Sequence, residues 1–461
     1  MSRLVVLSNR MPLGPDPSGG LVVALRDQLT AVGGLWIGHD GEIVETPAPA
    51  LQPLDGGPFE RKGFDLTQAE HDGYYLGFAN SVLWPLFHGR TDLLDMQGDY
   101  LTTYRAVNRR IARMVAEELR PGDRLWVHDY HLFPIAMELR SMGFDNPIGL
   151  FLHIPFPSAG DCHALPDVGL FARWLAAYDL IGLQSQRDVA AFRDCFASVE
   201  GARVAPDGTV AHGGRTVRAG AFPIGIDAAG FAAIAAQQGL DRTDAPAVGE
   251  HLIIGVDRLD YSKGLPQRFR AFGHLLDLRP DLAGKVSLLQ IAPPTRGELA
   301  AYQDIREELE QLSGHINGQH ATIDWTPIRY IHRAVPRERL AGLYRAAMIG
   351  LVTPLADGMN LVAKEYVAAQ NPEDPGVLIL SKFAGAAEQL TEALIVNPHS
   401  PDEVAQAIVT ALSMPMGERR KRHRAMMHTL LRHDVEWWSD GFLSALDAAA
   451  HAPSKPVLRV V

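Results

Sequence analysis

Met348-Ile349-Gly350-Leu351-Val352-Thr353-Pro354 runs through Leu355 and Ala356 into Asp357-Gly358-Met359-Asn360-Leu361-Val362-Ala363-Lys364-Glu365. The first segment is a short apolar run bounded by proline and reads as a buried strand. The second opens a helix over 361–370. An acidic residue and a flexible glycine therefore stand where a strand meets a helix N-terminus. Free backbone N–H groups and the helix dipole at such a junction favour anions and sugar hydroxyls. Asp357 can accept hydrogen bonds from hydroxyls. Glu365, one turn into the helix, can accept two more from a ribose. This is chemistry suited to gripping a nucleotide sugar.

The same strand-to-helix grammar extends in both directions. Strands are expected at 3–8, 125–128, 148–153, 252–256, 286–291, 329–331, 349–354, 377–381 and 394–397. Helices are expected at 22–32, 131–142, 185–196, 265–276, 297–312 and 337–346. Continuous apolar strands alternating with helices predict α/β, doubly wound parallel sheets covered on both faces. The alternation relaxes at 40–72, read as surface loops or short antiparallel strands, and at 203–222, read as a hairpin. An Ala-rich stretch with Gln237-Gln238-Gly239 leads into Asp, Pro and Gly residues up to Gly249. It places a boundary near residue 235. The expected domains are 1–235, 236–435 and a helical, aromatic tail over 436–461 that packs back on the first. Ligands are expected between the two Rossmann-like domains, at the carboxyl ends of strands.

At 461 residues the chain exceeds one ordinary core. No apolar run approaches a membrane span, and a strand-like run begins by Leu4 without a signal-peptide pattern. A cytoplasmic protein without a membrane partner is expected. The two cysteines, Cys162 and Cys195, are too few for a disulfide framework or a zinc cluster. A net charge of -11 argues against a nucleic-acid partner. The basic run Arg419 to Arg424 reads as a solvated helix face.

Gly-x-Gly is absent throughout, and so is the P-loop pattern, so hydride transfer and P-loop chemistry lose support. Pro206-Asp207-Gly208-Thr209 reads as a hairpin turn. Ser8-Asn9-Arg10 ends the first strand, and Gly19-Gly20 then lets backbone approach a diphosphate at a helix start. In Asp257-Arg258-Leu259-Asp260-Tyr261-Ser262-Lys263-Gly264, two cations stand between a strand and a helix, suited to phosphate oxygens. A structural salt bridge to Asp257 or Asp260 is the alternative. Pro294-Thr295-Arg296-Gly297 repeats the arrangement. His128-Asp129 ends another strand. Adjacent strand residues face opposite ways, so a metal site is not expected, and Asp129 reads as an acceptor for sugar hydroxyls. His153 ends a buried strand, where a structural histidine is equally consistent.

Taken together, these motifs resemble the trehalose-6-phosphate synthase family of retaining glycosyltransferases. Further carriers of the resemblance are Gly33-Gly34-Leu35-Trp36, Val82-Leu83-Trp84-Pro85, His128-Asp129-Tyr130-His131-Leu132, His153-Ile154-Pro155-Phe156-Pro157 and Phe383-Ala384-Gly385-Ala386-Ala387. The resemblance implies the GT-B fold, two Rossmann-like domains facing across a cleft. It implies that Arg10, Tyr75 and Arg296 hold the phosphate of glucose 6-phosphate, with Trp84 and Asp129 shaping the acceptor site. Gly19, Gly20, Arg258 and Lys263 would bind the donor diphosphate, and His153 and Asp357 the donor glucose. Glu365 would take the ribose and backbone at Val335 the base. Gly358, Met359, Asn360, Leu361 and Val362 would line the donor pocket. Arg258, Lys263, Asp129, His153 and Asp357 are the implied catalytic set.

The implied reaction moves glucose from a nucleotide sugar, with UDP-glucose the expected donor, to glucose 6-phosphate with retention. It needs no metal or other cofactor, and the implied assembly is a homo-oligomer, a dimer or tetramer. The base stays open among UDP, GDP and ADP. Three features depart from the family pattern: a short, proline-rich loop at 11–18, His39 in place of a second Trp, and Ser158-Ala159-Gly160-Asp161-Cys162. All adjoin the acceptor side. A glucosylglycerol-phosphate synthase using glycerol 3-phosphate, and a catalytically silent sugar-phosphate sensor, are therefore the alternatives.

Overall fold

The computed structural model describes residues 3–11, 22, 25–26, 29–30, 33–54, 58–239 and 250–450. These fall into two compact units. The described residues up to Pro223 and from Trp438 onward form the first, and Ile224–Trp437 forms the second.

The first unit is built on ten strands: β1 (Leu4–Arg10), β2 (Leu35–Ile43), β3 (Gln52–Pro53), β4 (Glu60–Leu66), β5 (Arg124–His128), β6 (Ile148–Phe151), β7 (Leu180–Leu183), β8 (Arg203–Val204), β9 (Val210–His212) and β10 (Arg215–Ala221). Their order is β3-β4-β2-β1-β5-β6-β7-β10-β9-β8. Pairing is parallel from β4 to β10, and β3, β9 and β8 add antiparallel edges. Val5, Val6 and Leu7 of β1 are wholly buried, as a central strand covered on both faces requires. β1 lies between β2 and β5, so strand order reverses beside it. Arg10 ends β1, and Asp129 follows β5, at that switch point.

The second unit carries β11 (His251–Val256), β12 (Val286–Ile291), β13 (Ile328–Ile331), β14 (Ile349–Val352), β15 (Val377–Ser381) and β16 (Leu394–Val396). The order is β13-β12-β11-β14-β15-β16, all parallel. Here the reversal lies between β11 and β14. Asp257 to Lys263 follow β11, and Asp357 follows β14, so both cationic and acidic motifs leave the sheet at its switch point.

Several expectations need correction. Residues 40–72 contain β4, which pairs parallel to β2, and only the two-residue β3 is antiparallel. The charged residues of 60–62 masked that strand, because its first half lies partly open to solvent. β7 and the helix Tyr100–Glu118 were not anticipated. The first is only four residues long, and the second carries a strongly charged outer face. The helix expected at 131–142 is split by Pro134 into a short turn and Ile135–Ser141. The division between units falls after Pro223 rather than near 235. Ala228–Gln237 packs on the helices Arg337–Ala346 and Leu361–Ala369, which holds it in the second unit. The run Arg419 to Arg424 is not a purely solvated face. Arg419 donates to Asp374 and to the carbonyl of Pro375, Arg422 to the carbonyl of Glu392, and His423 is buried beside the carbonyl of Val367. Pro206–Thr209 is a tight turn between β8 and β9, with Gly208 at φ 80°.

The helix Val435–Ala450 returns an aromatic face to the first unit. Phe442 stacks on Trp126 (4.9 Å between ring centroids, 12° between planes), and Trp438 lies 5.0 Å from the same ring. A Cβ on Gly149 or on Gly182 would come within 2.7 Å of the Phe442 ring. These strand glycines therefore make the slot the ring occupies. Phe442→Ala empties that slot and should lower stability by about 3–5 kcal/mol in chemical denaturation. Gly182→Ala should also destabilise, because its methyl would meet Phe151 and Phe442 together.

Candidate active site

In the second unit the site starts from a turn that needs its glycine. Tyr261–Lys263 forms one turn after β11, with Asp260 accepting from Ser262 N at 2.9 Å. Gly264 follows at φ 65°, and a Cβ there would strike the carbonyl of Thr353. Ser262 O accepts from Leu355 N at 2.7 Å, which ties this turn to the segment after β14. Lys263 is thereby carried to Asp357, with Nζ 2.6 Å from Oδ2. Asn360 adopts φ 75°, caps the helix Leu361–Ala369 by accepting from Ala363 N, and donates Nδ2 to the same Asp357 oxygen at 3.0 Å. Asp357 N donates to Phe383 O, and Asp357 O accepts from Gly385 N. Asp357 Oδ1 carries no hydrogen bond among the described residues, so one carboxylate oxygen is spent on orientation and the other is left for a ligand. Gly358, Met359, Asn360, Leu361 and Val362 follow directly.

Glu365 sits half-buried on the same helix, without a hydrogen-bond partner among the described residues. Burial pushes its carboxyl up to about 7, and the nearby Arg337 guanidinium partly offsets this. Lys364 beside it is wholly buried, donates to Ile224 O and Gln389 Oε1, and is lowered by burial to about 7. It is a structural lysine. Val335 is half-buried just before the helix Arg337–Ala346, and Arg258 is exposed.

Asp257 and Asp260, the carboxylates weighed as structural salt-bridge partners, each meet another arginine. Asp257 binds Arg268, both side chains being almost fully buried, and Arg268 also reaches Thr353 and Gln290. Asp260 Oδ2 lies 3.4 Å from Arg296 Nη1 and accepts from Tyr302 OH at 3.0 Å. Arg296 itself donates to Tyr302 OH at 2.6 Å, from a left-handed backbone at φ 47°. Asp260 and Tyr302 thus both hold its side chain. Nothing in the sequence singled out Tyr302 as the residue that holds it.

In the first unit, Arg10 Nη2 donates to Tyr75 OH at 3.1 Å, and its guanidinium lies 5.0 Å from the Tyr75 ring centre. Tyr75 stacks on His131 at 5.7 Å. It stands on His71–Leu83, which winds as a π-helix, a form that recurs at functional sites. Asp129 leaves β5 at φ 73°, and its Oδ1 accepts from His153 N at 3.3 Å. His153 Nε2 meets His128 Nδ1 at 3.0 Å, and its Nδ1 lies 3.5 Å from Gln184 Nε2. Burial drives the pKa of both imidazoles down, His153 to about 3, so the pair is neutral. Trp84 is buried between Tyr130 and His88. Gly19 and Gly20 lie outside the described residues. Among the described residues, no group of three or more His, Cys, Asp or Glu is gathered to hold a metal, and no helix is long and apolar enough to cross a membrane.

Residues 14–448 match Glycosyltransferase family 20. The chain belongs to that family. It is 45% identical to the trehalose-6-phosphate synthase of Cronobacter sakazakii, over 97% of this chain and 95% of that protein. The solved structure of a Burkholderia xenovorans α,α-trehalose-phosphate synthase (UDP-forming) in complex with glucose-6-phosphate superposes with a TM-score of 0.91. It is 45% identical and covers 97% of this chain and 100% of its own. An E. coli trehalose-6-phosphate structure, bound with UDP-2-fluoro glucose, gives 0.91 at 43% identity, over 96% and 99%. The fold of this family 20 member is accordingly GT-B, with a parallel-sheet domain in each unit.

Proposed function

We propose that the chain is a trehalose-6-phosphate synthase that transfers glucose from UDP-glucose to the anomeric hydroxyl of glucose 6-phosphate, with retention and release of UDP. The observation that carries this reading is the Lys263–Asp357–Asn360 constellation at the switch point of the second sheet. Lys263 has three N–H donors, and Asp357 takes one. The other two serve diphosphate oxygens, and the exposed Arg258 adds a guanidinium from the same turn. Asp357 Oδ1 accepts from a donor-sugar hydroxyl, and Glu365 from the ribose. Relatives solved with glucose-6-phosphate and with a UDP-sugar analogue support the same substrate pair.

Bond breaking places charge on the leaving diphosphate, and Lys263 and Arg258 stabilise it there. The acceptor hydroxyl attacks the face from which the diphosphate departs, and a leaving phosphate oxygen takes its proton. Retention then needs no carboxylate nucleophile, unlike the paired-carboxylate glycosidases. Two fixed cations do the work metal ions perform elsewhere. Incubation with UDP-, GDP- and ADP-glucose against glucose 6-phosphate and glycerol 3-phosphate should release UDP fastest from UDP-glucose with glucose 6-phosphate. EDTA should leave that rate nearly unchanged. Loss restored by Mg²⁺ would assign the diphosphate to a metal instead, and release only with glycerol 3-phosphate would overturn the acceptor.

Glu365 adds a pH dependence. A carboxylate accepts from both ribose hydroxyls, whereas the neutral acid must donate one bond itself. With a carboxyl at about 7, donor binding favours the ionised form and expels a proton below that pH. The donor KM should fall by about tenfold from pH 6 to pH 8, following the ionised fraction. Glu365→Gln should flatten the profile. A wild-type KM that rises with pH would contradict the assignment.

A further inference from the structure

The first unit contains a cavity of about 330 Å³, within the size range of small-molecule sites. Arg10 and Tyr75 line it, and so do two imidazoles, His39 and His71. His39 comes from β2 and His71 opens the π-helix, so two separate elements deliver them. His71 lies 5.2 Å from the Tyr75 ring, and the buried His39 leans on Phe64 at 5.8 Å. Asn9, the neighbour of Arg10, is fixed by Tyr74 OH at 2.8 Å, which stiffens that end of the cavity.

The hydrogen bonds decide what each imidazole can offer. His39 Nε2 sits 3.2 Å from Glu42 O. A carbonyl only accepts, so Nε2 carries the hydrogen. Nδ1 then holds a lone pair in the neutral ring and has no partner among the described residues. His71 Nδ1 faces Asp72 Oδ1 at 3.4 Å, which puts its hydrogen there and leaves Nε2 as the lone-pair atom. A phosphate oxygen also brings a lone pair. It is accepted only if the ring nitrogen first gains a proton.

The charges facing these rings are few. Arg10, Asp40 and His71 act on His39. Burial first, then Arg10 and His71, holds it below its usual range against Glu42 O and Asp40. Asp40 Oδ1 is taken by Glu42 N at 3.0 Å, and Asp72 Oδ1 is shared with Gln68. Glu70, beside His71, is occupied by Arg110 and Thr67 N. An arriving dianion reverses the balance at His39 and favours its protonated ring.

We propose that His39 and His71 are acceptor-binding residues, which complete with Arg10 a cationic pocket for the dianionic phosphomonoester of a sugar. This rests on the reading of Arg10 and Tyr75 as the acceptor phosphate site. The proton comes from solvent and moves to His39 Nδ1 or His71 Nε2 as the phosphate enters. The pocket thereby discriminates a dianion from a neutral sugar by more than one arginine could.

Titration calorimetry of glucose 6-phosphate at pH 7.5, in HEPES and in Tris, reads affinity and proton uptake together. At that pH the phosphate is mostly dianionic, so uptake belongs to the protein. Wild type should take up roughly half a proton or more per molecule bound. His39→Gln and His71→Gln should each weaken binding by about tenfold and reduce the uptake, with the Kd for UDP unchanged. His39→Phe keeps the ring against Phe64 and should lose the same uptake, which separates charge from packing. If affinity and uptake survive all three substitutions while Arg10→Ala weakens binding, the histidines are not acceptor residues. If Arg10→Ala leaves glucose 6-phosphate affinity intact, the acceptor site itself lies elsewhere and the inference falls with it.

Discussion

Arg258→Ala and Lys263→Ala are expected to cut turnover by roughly 10²–10³, the scale set by removing one preorganised stabiliser of developing charge. Their effect on the donor KM should be smaller. In the proposed mechanism both groups meet the diphosphate in the ground state, and the bond to each strengthens as the glucosyl–oxygen bond breaks. The two substitutions differ in their side effects. Lys263 and Asp357 form a pair whose side chains are only 9% and 14% exposed. Lys263→Ala leaves that carboxylate with Asn360 alone and should also lower the melting temperature. Arg258 is exposed, so Arg258→Ala removes less buried packing and is the cleaner test. Steady-state kinetics with each variant, read beside thermal melts, separates the effects. A normal kcat with a raised donor KM would make these contacts uniform binding and remove both residues from the catalytic step.

How much of this was legible in sequence depended on where the information lay. The β11-to-Lys263 and β14-to-Glu365 segments are local. A buried strand, a turn glycine and a helix start stand in one short run, and the chemistry follows the turn. The Lys263–Asp357 contact spans 94 residues, and both motifs pointed to one ligand without revealing that they touch. Topology supplies that step, because β11 and β14 are neighbours although β12 and β13 intervene in sequence. The latch of Asp260 and Tyr302 on Arg296 was illegible, since Tyr302 lies on a helix face that reads as ordinary core. The β4 strand was hidden by its charged, half-open first residues, and the unit boundary by the Ala-rich composition of a helix that packs as core.

The histidines show the opposite case. His39 stood out only as a departure from the family pattern, and His71 carried no motif at all. Their significance depends on sharing one cavity with Arg10, through β2 and the π-helix, which no local reading supplies. His128 and His153 meet ring to ring as a neutral pair, a contact between two strand ends that neither motif announced. Asp129 escaped the strand alternation because its backbone turns left-handed at φ 73°, so the side chain follows the turn rather than the pleat.

Arg10→Ala should raise the acceptor KM by roughly 10–150-fold while leaving the donor KM close to wild type. A hydrogen bond to a charged group contributes about 1.5–3 kcal/mol, and each 1.4 kcal/mol is tenfold in affinity. Arg10 is exposed and meets Tyr75 only through its hydroxyl and ring, so its loss should leave the fold intact. Arg296→Ala is a harsher change, because it removes the positive charge beside Asp260, whose side chain is wholly buried. It should weaken acceptor binding and destabilise the second unit together. Tyr302→Phe removes one hydroxyl that Asp260 and Arg296 share, and separates the latch from the charge. If the latch only stores Arg296, Tyr302→Phe should alter stability and spare the acceptor KM. Unmodified glucose lacks the phosphate that the proposed reading assigns to Arg10 and should be a very poor acceptor for the wild type. The discrimination between glucose and glucose 6-phosphate should shrink in Arg10→Ala by the same factor that its KM rises. Glucose turning over as fast as glucose 6-phosphate in the wild type, or Arg10→Ala weakening only the donor, would remove the acceptor phosphate from this pocket.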